Sequence, residues 1–167
     1  MPTLEAGSRA DNLKKSAYAH VHTAIQVGLG IQVYYLGQSR QGTLPQKWVD
    51  AALMPGVQIG PIREGGVGKK ASYTESYLNL NCFFKIESGI STLGIYGIDT
   101  MKDDVRQRFE VGTSILVYDY SVVEKPFAGM MRVLDRPVVR DIETAQGSGI
   151  AQANISIPLR YFESTID

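Results

Sequence analysis

The chain has 167 residues, a length that suits one compact domain, residues 1–167. Its 17 basic and 17 acidic side chains balance, which excludes the net positive field that sequence-independent binding of duplex nucleic acid draws on. Its single cysteine, Cys82, excludes an intrachain disulfide and a zinc site closed by cysteines.

The first predicted element is an amphipathic helix over Ser8 to Gln26, in which apolar residues recur every three or four positions. Gly28 and Gly30 favour its end, because glycine readily adopts the left-handed turn that stops a helix. Alternating side chains then predict a short strand from Ile31 to Tyr35. A second strand is predicted from Lys47 to Met54, after a polar loop.

The segment from Pro55 to Ser76 is rich in glycine and poor in apolar residues, so the sequence predicts a long mobile loop there. Loops of this length inside a compact domain are uncommon and often functional. Part of the segment, Gly65 to Lys70, resembles a phosphate-binding loop. However, Arg63 stands where that motif needs its first glycine, and Lys70 stands where it needs serine or threonine. Nucleotide binding is therefore not predicted.

The second half of the chain begins with the clearest alternation, Tyr77 to Ile86, which predicts a central strand with Cys82 buried on its apolar face. A glycine-bearing connection, Ser88 to Gly97, leads to a helix over Asp99 to Phe109 that Asp99 can cap. Pro137 interrupts one of the strands that follow, so that strand bends or lies on an edge. The last three predicted strands are Ser114 to Tyr120, Met130 to Ile142 and Asn154 to Phe162.

The order of the elements predicts the fold class. Helices that are too few to alternate regularly with strands indicate an α+β fold, with a mixed or antiparallel sheet and both main helices packed on one face. The long glycine-rich loop, about residues 55–76, and a C-terminal hairpin, about residues 130–163, complete the expected architecture.

No group of side chains in the sequence indicates catalysis, a metal site or a cofactor. His20 and His22 lie two apart on a predicted helix and point about 200° apart, so they cannot share a metal or a proton. The carboxylates Asp103 and Asp104 point about 100° apart and are expected on a solvated face. The sequence therefore predicts that the chain is not an enzyme and holds no cofactor and no metal.

Charged residues of both signs indicate protein contacts in two segments. Arg132, Arg136 and Arg140 line one side of a predicted strand, but Asp135 and Asp141 interleave with them. This mixture favours cross-strand pairs or a protein interface over phosphate contacts. The predicted loop also carries both signs, which fits a protein surface better than nucleic acid. Its candidate contact residues are Arg63, Glu64, Lys69, Lys70 and Glu75.

Several parts of the chain together match the pattern of one protein family. They are an N-terminal helix leading into a strand, the opening Leu44 to Val49 of the next strand before a glycine-rich stretch, the strand Ser76 to Ile86 and the helix Asp99 to Phe109. The closing blocks Met131 to Pro137 and Ile155 to Glu163 match a terminal hairpin. Over nearly its whole length the chain resembles the tail terminator, or tail completion, proteins of long-tailed bacteriophages.

The resemblance implies a structural virion protein without catalytic residues. Such a protein would form a ring, usually of six copies, that caps the tail tube at full length and offers its other face to the neck proteins below the capsid. The expected partners are further copies of the chain, the tail tube protein, a neck or head-completion protein and the sheath protein. DNA would pass through the ring without specific recognition.

The expected location follows from the N-terminus, the hydropathy and the resemblance. Met1 to Gly7 lacks the pattern of a signal peptide, and no apolar run approaches the roughly 18 residues of a membrane helix. The protein is therefore expected to be made and kept in a cytosol, without a membrane partner. The resemblance implies the host cytoplasm during assembly and the tail or neck of the finished virion.

Other interpretations stay open at this stage. Other phage neck proteins, such as head-completion proteins or connector adaptors, share much of this architecture. A monomeric protein-binding module would run at its monomer mass at all concentrations. A small-molecule enzyme would contain a residue whose replacement abolishes turnover while assembly stays intact.

Overall fold

The structure is a computed structural model and describes residues 6–38, 40, 42–63, 70–86, 91–142 and 149–165. Within these residues the chain forms two α-helices, α1 (Ala6–Val21) and α2 (Ser91–Gln107), and α1 continues as a π-helical segment over His22–Val27. The strands are β1 (Gln32–Tyr35), β2 (Lys47–Arg63), β3 (Lys70–Lys85), β4 (Ser114–Tyr118), β5 (Phe127–Val133), β6 (Val138–Ile142) and β7 (Ile150–Thr165).

These strands form one sheet in the order β1-β2-β3-β7-β5-β4, and β6 also pairs with β7. β1 is parallel to β2, while the other described pairs are antiparallel. β3 and β7 pair along their full lengths and form the centre of the sheet. Both helices pack on the same face, α1 over β2 and β4 and α2 over β3 and β7. The predicted α+β fold is confirmed.

The hydrophobic core lies between the two helices and this inner face of the sheet. Alternate residues of each strand point into it, as Leu78, Leu80 and Cys82 of β3 do. The buried residues of α1 and its π-helical segment follow helical spacing: Leu13, Ala17, Val21 and Ile25. Those of α2 and the turn after it do the same: Ile98, Met101, Val105 and Phe109.

Cys82 is fully buried in this core, as the sequence predicts. Burial raises the pKa of its thiol to about 12, so the reactive thiolate is scarce at neutral pH. We expect Cys82→Ala to lower the free energy of unfolding by about 1–3 kcal/mol, measured in denaturant, and to leave assembly intact. A thiol reagent should label Cys82 much more slowly in the native than in the unfolded protein; equal rates would contradict its burial.

Side chains of α1 cover the end of the edge strand β4. The backbone N–H of Tyr118 donates to Ser16 Oγ at 3.1 Å, and that of Tyr120 donates to Asn12 Oδ1 at 2.8 Å. Ser16 and Asn12 are buried polar residues, and these hydrogen bonds give their side-chain oxygens partners. Because unpaired backbone groups at a sheet edge invite pairing with another chain, these bonds both anchor α1 and protect the edge.

The segment from Pro55 to Ser76 differs from its prediction. Residues 64–69 lie outside the described residues, but the flanking parts are paired strands, with Arg63 opposite Lys70 at the far end. The prediction of a long loop is therefore wrong for the described part of this segment. β2 and β3 instead form a long hairpin, and β7 pairs with the other side of β3 up to Thr165.

The glycines and prolines of this hairpin mark irregularities in the pairing. The register between β2 and β3 shifts between Met54 and Val57 and again between Ile59 and Ile62. Gly56 lies in the first shift, where a β-carbon would overlap the carbonyl oxygen of Glu75. Glycine, which lacks a β-carbon, and proline, which lacks a backbone N–H, are both typical of β-bulges. Their presence here therefore does not indicate a loop.

Helix α2 also begins earlier than predicted, at Ser91 instead of Asp99. Asp99 lies inside the helix and does not cap it; its carboxylate pairs with Lys102 one turn later, at 2.6 Å. Gly97 was expected in a connection, but it lies where α2 passes close to β3. A β-carbon at Gly97 would lie 2.5 Å from the ring of Phe84, so this glycine permits close packing.

The three C-terminal strands are observed, and the interruption at Pro137 is confirmed. The middle strand is divided into β5 and β6, and both lie antiparallel to β7. Val133 lies opposite Leu159 and Val138 opposite Ser156, so the chain between β5 and β6 is longer than the part of β7 that it spans. The extra residues bend the segment around Pro137.

Candidate protein interface

The face of the sheet opposite the helices, here the outer face, carries large exposed apolar side chains. Met54, Tyr77 and Phe162 are 46%, 47% and 47% exposed, respectively. They lie on three adjacent strands, because β3 stands between β2 and β7. Each alternates with residues that point into the core, so the pattern that builds the core also places these side chains outside.

The strand register brings these residues together. Tyr77 lies opposite Met54 on one side and opposite Pro158 on the other. Tyr73 lies opposite Phe162, and the centres of their rings are 5.9 Å apart. We call this set the aromatic patch: Met54, Tyr73, Tyr77, Pro158 and Phe162.

A charged row crosses the sheet within the aromatic patch. Glu75, Arg160 and Arg132 lie opposite one another on β3, β7 and β5. An Arg160 Nη atom lies 3.7 Å from a Glu75 carboxylate oxygen and 3.9 Å from one of Asp135. The guanidinium carbon of Arg160 also lies 5.5 Å from the centre of the Tyr73 ring, within cation–π range. Arg160 therefore lies between the Tyr77–Pro158 pair and the Tyr73–Phe162 pair.

Glu75 and Arg132 are predicted from the sequence as contact residues in separate segments, and the structure brings them into one row. Arg160, which lies between them, is not among the predicted residues. The signal was present in the alternation of β7, where Ile157 and Leu159 face the core and Arg160 must therefore face outwards.

Arg132 is the last member of the charged row, and the other two predicted arginines follow it along the chain. Arg132 and Arg140 project from β5 and β6 on the outer face, and Arg136 is exposed in the connection between these strands. In the part of the chain that the structure describes, no carboxylate forms an ion pair with any of these three arginines. We call Arg132, Arg136 and Arg140 the arginine margin.

The remaining predicted contact residues lie towards the end of the β2–β3 hairpin. Arg63 and Lys70 are opposite each other at the last described positions of the two strands. Glu64 and Lys69 lie outside the described residues. Lys70 is on the same strand as Glu75 but further along the hairpin, so the structure does not place it in the charged row.

A groove of about 290 Å³ opens on the outer face beside β1. In it Arg40 forms an ion pair with Asp50, and the guanidinium carbon lies 5.5 Å from the centre of the Tyr34 ring. Burial raises the pKa of Asp50, while the neighbouring Arg40 acts in the opposite direction. The groove thus contains an ion pair in which the other carboxylate oxygen of Asp50 is buried without a hydrogen-bond partner among the described residues.

The two histidines are not brought together. His20 is half-buried with its ring 5.7 Å from that of Phe109, and burial lowers its pKa, whereas His22 is exposed. The described residues contain no group of three or more histidine, cysteine, aspartate or glutamate side chains that could hold a metal ion. They also contain no helix with the length and hydropathy needed to cross a membrane.

Comparison with known proteins gives a similarity of fold. No protein-family model and no curated protein sequence matches the chain. A solved structure of a protein whose name describes no function superposes with a TM-score of 0.57 at 11% sequence identity, covering 92% of this chain and 97% of that chain. The chain is therefore similar in architecture to that protein over almost the full length of both.

Proposed function

We propose that the chain is a structural virion protein of a long-tailed bacteriophage, which forms a ring of six copies at the end of the tail tube. The observation that carries this proposal is the outer face of the sheet. Its exposed tyrosine, phenylalanine, methionine and arginine side chains are the types enriched in protein interfaces. Exposed apolar patches with polar surroundings mark interaction sites. The kind of assembly, a ring at the tail end, is inferred from the resemblance of the sequence to tail terminator proteins.

A closed ring has the symmetry expected of several identical copies at the end of a tail tube. Copies that turn the same face to the tube end must contact one another through two different surfaces, and a rotation that closes gives a ring instead of a filament. The balanced charge of the chain supports self-association, because copies do not repel one another through a large net charge.

In this proposal the chain acts by binding. Its partners are its own copies, the tail tube protein, a neck or head-completion protein and the sheath protein, and DNA passes through the ring. The aromatic patch offers apolar side chains that a neighbouring protein can shield from water, and Arg160 beside them forms an ion pair with Glu75. No catalytic step and no cofactor is part of the proposal.

The test combines the mass of the assembly with its activity in tail completion. We expect native mass spectrometry of the protein, alone or with tail tubes, to show six copies, and negative-stain images to show a six-fold ring at the tail end. Added to terminator-deficient tails, the protein should restore tails of normal length that join heads. A protein that stays monomeric in both conditions and rescues nothing would refute the proposal. Restored head joining without control of tail length would instead indicate a head-completion protein or connector adaptor.

A further inference from the structure

We infer that the arginine margin of one copy docks against an acidic stripe on helix α2 of the next copy. The inference rests on the proposed ring, and it identifies the two surfaces through which neighbouring copies meet. Three features support it: exposed arginines without an ion pair among the described residues, exposed carboxylates on α2, and the placement of the two groups on different faces of the sheet.

The positive charge of the arginine margin is not neutralised within the described part of the chain. Arg132, Arg136 and Arg140 are exposed, and the neighbouring carboxylate of Asp135 lies near Arg160, at 3.9 Å. Arginine is well suited to a protein interface, because its planar guanidinium can bind a carboxylate through two hydrogen bonds. A partner that brings carboxylates to this margin would therefore gain paired contacts.

The solvent side of α2 provides such carboxylates. Thr100, Asp103, Asp104 and Gln107 are exposed and lie three or four residues apart, which places them on one face of the helix. This face, the acidic stripe, contains no basic residue. The side chain of Asp103 is 61% exposed, with Arg106 Nε at 3.8 Å, and Asp104 has no ion pair within the described residues.

Of the basic residues nearest to the stripe, Arg106 partly offsets the charge of Asp103, and no other described residue forms an ion pair with the stripe. Lys102 is occupied by Asp99 at 2.6 Å and Asp141 at 2.8 Å. Arg108, in the turn after the helix, lies close to Gly28 at the end of the first helix. The stripe therefore presents Asp103 and Asp104 to the solvent.

The two surfaces lie on different faces of the sheet. α2 packs on the inner face of β3 and β7, whereas Arg132 and Arg140 project from the outer face of β5 and β6. A contact between two different surfaces of identical copies is heterologous, and its repetition gives a ring when the rotation closes. Opposite charges on the two surfaces would steer the encounter and set the register between copies.

Charge reversal tests this pairing. One variant carries Arg132→Glu with Arg140→Glu, and a second carries Asp103→Lys with Asp104→Lys. Each variant alone brings like charges together, so we expect it to need a roughly tenfold or higher protein concentration for ring formation than the wild type. An equimolar mixture should restore the ring with alternating copies, because each reversed surface then meets its complement. A chain with all four substitutions should also assemble.

A control matched to the arginine variant carries Lys15→Glu with Lys125→Glu, which changes the net charge by the same amount and in the same direction at two exposed positions outside both surfaces. It should assemble as the wild type does. Native mass spectrometry gives the oligomeric state, and circular dichroism verifies the fold of each variant. If both reversed variants form rings at the wild-type concentration, or if their mixture fails to restore them, the inferred pairing is wrong while the ring proposal stands. If the wild type forms no ring, both fail.

Discussion

Replacing Tyr77 and Phe162 together by serine is expected to abolish tail completion while the domain stays folded. Both side chains are 47% exposed on the outer face, so their removal leaves the core intact. Truncating an aromatic anchor in an interface can cost about 2–4 kcal/mol of binding free energy per side chain. In the proposed ring, the repeated contacts would multiply this loss. The measurements are the yield of head-joined tails in complementation and the thermal unfolding midpoint.

The control for this variant replaces exposed apolar residues outside the aromatic patch. Val27 and Leu36 are 70% and 67% exposed, and neither belongs to the patch. Val27→Ser with Leu36→Ser should retain the wild-type yield of complete tails. Full rescue by the Tyr77 and Phe162 variant would show that the aromatic patch is not an interface. Equal loss in both variants would show that the effect is not specific to the patch.

Phe109→Ala is expected to cause the largest loss of stability among these variants. The side chain is fully buried where the end of α2 meets α1, and its ring lies edge-on to that of His20, with 5.7 Å between centres. Removing a buried phenylalanine side chain costs about 3–5 kcal/mol, through lost burial and the cavity left behind. That is a large part of the roughly 5–15 kcal/mol that holds a typical domain folded.

Denaturant unfolding measures this loss, and Phe127→Ala provides the matched control. Phe127 is 41% exposed on β5 and contacts Tyr118, so its truncation removes less buried surface. We expect a loss of under about 1.5 kcal/mol for the control. Similar losses for the two variants would contradict the place of Phe109 in the core.

The sequence predicts those elements whose signal is local. The spacing of Leu13, Ala17 and Val21 indicates α1, and the alternation from Tyr77 to Ile86 indicates the central strand with buried Cys82; the structure confirms both. These patterns repeat within a few residues, since a side chain's direction depends on its own helix or strand. The interruption at Pro137 is also local, because proline lacks a backbone N–H.

The hairpin between Pro55 and Ser76 could not be predicted in this way. Its glycines and prolines favour a loop when they are read alone, but the described part of β3 is hydrogen-bonded to β2 on one side and to β7 on the other. β7 begins only at Ile150, so its pairing with β3 cannot be predicted from the residues around the hairpin. Tertiary pairing therefore overrides local propensity here.

By itself the sequence determined the class of fold, the inner face of the central strand and the absence of net charge. Only the tertiary structure decided which outward residues become neighbours. Glu75, Arg132 and Arg160 form one row because the register of β3, β7 and β5 places them opposite one another. The alternation of side chains along a strand predicts the face of the sheet on which each one lies. The register between strands depends on pairing between distant segments, so only the folded structure identifies the candidate interface.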